Sequence, residues 1–160
     1  LMKLTDAALE KLVEGLKQTG EPVALLVFGD HQPSLQNGFY EEIGNPSELQ
    51  LHEVPFFLWK NYGQEAEELP LTSINYLSTL LLESTELEMP AYYRFLSEAM
   101  QAVPSLSGAG IVEDGRYLRV SDATGEAAEV RRDYEWLQYA NLFDKEMDGA
   151  FYTGESVDES

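Results

Sequence analysis

The residues predict an α/β chain with a mostly parallel sheet flanked by helices and a late β-hairpin. Three observations carry that expectation: a helical apolar period at the start, two unbroken apolar runs after it, and an Asp-Gly turn further on. Leu4, Ala8, Leu9, Leu12, Val13 and Leu16 fall at helical spacing, with Glu10, Lys11, Glu14 and Lys17 on the other face. Thr5 or Asp6 can cap that helix and Gly20 can end it. Val23 to Phe28 follows without alternation, the pattern of a strand buried on both faces. Val54-Pro55-Phe56-Phe57-Leu58-Trp59 is the second such run, with Pro55 near its start, where a missing donor is tolerated.

Between the two runs, Ser34 to Leu51 is polar and loop-like, with a short helical turn expected around Phe39 to Ile43. Ser73 to Leu82, Ala91 to Val103 and Val130 to Leu142 read as helices with apolar inner faces. Ile111-Val112 and Tyr117-Leu118 flank Asp114-Gly115, a pair that supplies the positive φ angles of a tight hairpin turn. The aromatics Phe56, Phe57, Trp59, Tyr92, Tyr93, Phe95, Trp136 and Tyr139 lie in these apolar elements and are read as core. Residues 1–144 form the folded portion. Residues 145–160 are an acidic tail, expected to be mobile, with Phe151, Tyr152 and Val157 as its anchors.

A chain of 160 residues that is 44% hydrophobic can bury one core. Its net charge of −19 repels phosphate backbones and excludes nucleic acid as a natural partner. An anionic substrate would need a locally recruited cation, which favours a metal site. With no cysteine, neither a disulfide nor a thiolate site is possible. No stretch reaches the ~18 to 20 apolar residues of a membrane-spanning helix, so the chain itself is expected to be soluble. The abrupt entry into helical pattern at Leu1-Met2-Lys3 suggests a piece of a longer protein.

Gly29-Asp30-His31-Gln32-Pro33 ends the first run sharply, placing Asp30 and His31 on a loop at a strand's carboxyl end. Adjacent carboxylate and imidazole donors suit Zn, Mn or Fe better than Ca, although two ligands do not complete a site. By spacing alone the plainer reading wins, with Asp30 a turn former and His31 a polar loop residue. His52 reads as a boundary histidine. Glu41-Glu42 and Glu65, Glu67 and Glu68 lack calcium-loop spacing and read as solvated faces. Neither a Ser/His/Asp elbow nor a glycine-rich phosphate loop is present.

Val27-Phe28-Gly29-Asp30-His31-Gln32-Pro33 resembles the late Phe-Gly-Asp-His motif of lipoteichoic acid synthases and related phosphoglycerol transferases of the alkaline phosphatase/sulfatase superfamily. Val54 to Tyr62 resembles the family's "Pro-Phe-x-x-Trp-x-Asn" strand, Ser73 to Leu77 the helix after it, and Tyr134 to Phe143 the closing "Tyr-x-x-Leu-Gln-Tyr" helix. The resemblance implies the carboxy-terminal part of an alkaline-phosphatase-like fold, with residues 1–144 a portion of its catalytic domain. It implies that Asp30 and His31 bind a divalent metal, Mn or Mg with Zn as an option. An acid and a nucleophilic threonine would lie upstream of this sequence, so the chain alone is expected to be inactive. The parent would be anchored at the extracellular face of a bacterial membrane and act on phosphatidylglycerol. Gln32-Pro33 departs from the "Asp-His-Gly" of many sulfatases and leaves sulfate-ester or phosphodiester hydrolysis as the alternative. A non-catalytic acidic surface-binding domain is the reading from another class.

Overall fold

The computed structural model describes residues 2–33, 35, 38–44, 46–63, 66–108, 110–113, 116–144 and 149–154. Helix α1 (Met2–Lys17) leads into β1 (Ala24–Phe28). Two short helices, α2 (Phe39–Glu42) and α3 (Glu48–His52), precede β2 (Phe56–Lys60). A 3-10 turn (Ile74–Tyr76) opens α4 (Leu77–Thr85), and α5 (Ala91–Ala102) follows. Strands β3 (Ser105–Leu106), β4 (Gly110–Glu113) and β5 (Arg116–Arg119) come next, then α6 (Gly125–Phe143) and α7 (Ala150–Thr153).

The α/β character holds, but the expected parallel pairing does not. β1 and β2 pair antiparallel, Ala24 opposite Lys60 and Phe28 opposite Phe56, in a two-stranded sheet among the described residues. An unbroken apolar run reports burial propensity, not strand direction, and the segment through α2 and α3 brings the chain back alongside β1. Nor is β1 buried on both faces. Its residues are half-buried and Phe28 is 47% exposed, because α4 packs on β1 while its outer edge has no strand partner among the described residues.

Asn61 closes the open end of this pair. Its backbone N–H donates to Val23 O, its side-chain oxygen accepts from Val23 N at 2.8 Å, and its amide donates to Glu21 O at 2.7 Å. Ser47 and Gln50 form a reciprocal capping box at the start of α3. That signal lies in the sequence itself, within the polar stretch expected to be loop-like.

β3, β4 and β5 form an antiparallel sheet in that order. Glu113 pairs with Arg116, so the expected hairpin is present, while Asp114-Gly115 lie outside the described residues. Gly110 has a steric reason: a Cβ there would overlap the Tyr117 ring. The core joins Tyr76, Leu96, Ala99, Val103, Leu106, Ile111 and Ala127. Three aromatics read as core are instead on the surface: Trp136 is 61% exposed, Tyr139 64% and Phe57 41%. Leu137 and Ala140, one helical step away from Trp136 and Tyr139, carry the buried face of α6. Phe151 and Tyr152 of α7 gather around Tyr92 of α5, with ring centroids 6.1 and 5.2 Å away.

Candidate functional site

Gly29 lets the chain leave β1 close against the start of β2. Its N–H donates to Pro55 O at 3.0 Å, and a Cβ would stand 3.1 Å from the Val54 Cβ. The next residues are thereby presented at the strand's carboxyl end. Oδ1 of Asp30 accepts the backbone N–H of His31 at 2.8 Å. Nδ1 of His31 lies 2.9 Å from Gln32 O. A carbonyl can only accept, so Nδ1 carries the proton, and in the neutral ring Nε2 keeps a free lone pair. Nε2 and Oδ2 of Asp30 are 3.4 Å apart, and both side chains face solvent.

Two lone-pair donors held side by side suit a cation between them. Ligand atoms each about 2.1 Å from a common ion at a tetrahedral angle stand about 3.4 Å apart. The pair therefore fits as half of a divalent-metal site. Among the described residues no group of three His, Cys, Asp or Glu converges anywhere.

Gln32 holds this loop in place. Its Nε2 donates to Gln50 O at 2.9 Å and to Glu53 O at 2.7 Å, tying the loop to the carboxyl end of α3. Gln32, the departure from the Asp-His-Gly pattern, thus has a structural role here. Tethering at the end of α3 also brings His52 and Glu53 beside Asp30, and all three line a cavity of about 430 Å³. His52, read from sequence as a boundary residue, shares a wall with Asp30. Thr72, Ser73, Asn75, Ser105, Ser107 and Tyr117 add to its polar lining. No local periodicity joins Asn75 and Tyr117 to Asp30, so sequence reasoning missed those two.

The other carboxylates do not gather. Glu41, Glu42, Glu67 and Glu68 are exposed, and Glu65 lies outside the described residues. Lys60 sits at the opposite end of β2, where its Nζ donates to Ser84 O at 2.6 Å and lies 5.4 Å from the Tyr62 ring centroid.

The sequence profile named Sulfatase matches residues 1–86, more than half of the chain and all of the segment bearing Asp30 and His31. The chain belongs to the Sulfatase family. A Rhizobium meliloti (strain 1021) protein named for cyclic beta-1,2-glucan modification is 24% identical over 156 residues, covering 90% of this chain. The Streptococcus pyogenes phosphoglycerol transferase GacH, solved with sn-glycerol-1-phosphate, aligns over 84% of the chain at TM-score 0.60 and 23% identity. That structure establishes the shared fold, as the phosphoglycerol-transferase resemblance implied. This Sulfatase-family chain spans 24% of the length of the Rhizobium protein and 31% of the streptococcal one. Among the described residues, no helix is long and apolar enough to cross a membrane.

Proposed function

We propose that this chain is part of a metal-dependent glycerophosphotransferase that builds or modifies a cell-envelope polymer. The observation that carries the reading is the convergence of Asp30 Oδ2 and His31 Nε2, 3.4 Å apart on a tethered loop, in a chain of the Sulfatase family. Asp30 and His31 would hold a divalent ion, Mn or Mg with Zn as an option. The ion would neutralise charge on phosphoryl oxygens and lower the pKa of an attacking hydroxyl. Against a net charge of −19, such a cation gives an anionic donor a place to bind. In this reading residues 1–144 are a carboxy-terminal portion of the catalytic domain and 145–160 an appended acidic tail.

The remaining ligands and the nucleophilic threonine would lie outside this sequence, in a parent anchored at the extracellular face of a bacterial membrane. The donor is phosphatidylglycerol or another glycerophosphate carrier. The sn-glycerol-1-phosphate bound by the streptococcal transferase supports that class. Membership of the Sulfatase family keeps one second reading, hydrolysis of a sulfate or phosphate ester, in which water takes the acceptor's place.

Calorimetric titration with Mn or Zn tests the metal reading. The wild-type chain should bind weakly, and the specific part of the heat should vanish in both Asp30→Asn and His31→Ala. Lowering the pH should weaken it further, because a protonated imidazole cannot ligate. The chain alone should not turn over phosphatidylglycerol. If wild type and both variants titrate alike, Asp30-His31 is an ordinary turn and the reading fails.

A further inference from the structure

We propose that the cavity beside Asp30 receives a neutral, hydroxyl-rich acceptor unit, a sugar or polyol residue, next to the metal loop. This rests on the reading above, in which the donor's phosphate goes to the ion at Asp30 and His31.

The cavity's charge makes the first argument. Among the described residues it is lined by Asp30 and Glu53, by His52, and by no Lys or Arg. Without a metal, such a wall repels a phosphate and leaves a neutral guest as the natural occupant. A glycerophosphate donor would therefore meet the loop through the ion, and the space behind it remains for the molecule that receives the group.

The lining makes the second argument. Leu49, Val54, Phe56, Leu71, Ile74 and Leu106 give apolar surface for the C–H face of a ring. Ser105 and Ser107 add hydroxyls, and the volume of about 430 Å³ lies within the ~300 to 1,000 Å³ of small-molecule sites. Mixed apolar and hydroxyl lining with acidic groups at one end matches a polyol, whose O–H groups donate to carboxylates while its carbons pack.

The third argument is unmet hydrogen bonding. Thr72 Oγ1, Asn75 Nδ2 and Tyr117 Oη, on three of the lining residues, are buried and have no partner among the described residues. Buried polar atoms in this state are costly. The frame around them is fixed: Ser73 N–H donates to Pro104 O at 3.0 Å, and Leu106 N–H donates to Ser73 Oγ. Tyr117 is wedged over Gly110. A hydroxyl-bearing guest, reached by rotation of the Thr72 and Asn75 side chains on binding, would supply the partners they lack.

Protein-observed NMR of the metal-free chain with cellobiose, glycerol and sn-glycerol 1-phosphate tests this. Cellobiose should perturb amides of residues 71–75 and 105–108. Glycerol should move the same amides more weakly if a sugar is the fitting guest, and equally if any polyol suffices. The phosphate ester should leave them still. Asn75→Leu and Thr72→Val should each weaken cellobiose binding roughly two- to tenfold, while Tm stays level or rises because an orphaned polar atom is gone. No shift with cellobiose, shifts indifferent to both variants, or tighter metal-free binding of the phosphate ester would overturn the proposal. Cellobiose binding that survives alongside a failed metal titration would support the cavity and defeat only the metal reading.

Discussion

The two halves of this chain are built to different standards of burial. Among the described residues, none before Ser73 is fully buried, whereas Tyr76, Leu96, Val103 and Ile111 are almost completely removed from solvent. Yet the amino-terminal half carries Asp30-His31 and most of the Sulfatase match at residues 1–86. The half with the candidate chemistry is thus the half with little core of its own. Two short strands cannot cover their own faces, so Leu4, Leu12, Phe28 and Phe57 remain exposed. The carboxy-terminal half, by contrast, closes a core between α5, α6 and the β3–β5 sheet. A loop held by a few hydrogen bonds on a lightly buried base can exchange ligands without disturbing that core.

Truncation on each side should break or sharpen this contrast most strongly. Ile111→Ala removes a side chain with no exposure and should cost about 2 to 4 kcal/mol in denaturant unfolding. Leu26→Ala, on the half-buried β1, should cost about 1 kcal/mol. Equal losses would mean that the amino-terminal half is as tightly packed as the other.

The same contrast explains what was legible. Helical periodicity located α1, α5 and α6, and the Asp-Gly pair located the β4–β5 hairpin, because those signals are local. The family resemblance and the Asp30-His31 loop were likewise readable from contiguous residues. Strand direction was not, since Val23 to Phe28 looks the same in either pairing. The exposure of Trp136 and Tyr139 was hidden because α6 has large apolar residues all round, which blurs its inner face. The cavity wall joins Asp30, His52, Asn75 and Tyr117, positions that only tertiary folding brings together.

The next effect lies in the core and appears at alkaline pH. Burial, with Tyr134 nearby as a second cause, raises the Tyr76 pKa well above its ordinary value. The folded chain therefore keeps a proton that the unfolded phenol releases above about pH 10. Stability should be intact below that pH and fall as pH rises, by about 1.4 kcal/mol per unit for one such proton. Tyr76→Phe should flatten the fall without lowering stability at pH 7, because the hydroxyl has no partner among the described residues. Tyr92 and Tyr152 are raised as well, so a reduced slope is expected rather than none. An unchanged slope would mean that Tyr76 ionises as readily folded as unfolded.

The smallest global effect should come from the tether that holds the Asp-His loop. Gln32 Nε2 bridges two carbonyls, Gln50 O and Glu53 O, and both bonds are solvent-exposed. Exposed bonds contribute little net stability, so Gln32→Ala should lower unfolding free energy by less than about 1 kcal/mol. Gln32→Glu should do somewhat more, because a carboxylate cannot donate and faces the same carbonyl oxygens. The local consequence should be larger. Without the tether the loop and the end of α3 are free to separate, so Asp30 and His52 no longer share one fixed wall. Hydrogen exchange at residues 29–33 and 51–53 should quicken in both variants, while the amides of α5 and β4 keep their wild-type protection. If either variant also deprotects α5 and β4, the loop is energetically coupled to the core, and the division between the two halves does not hold.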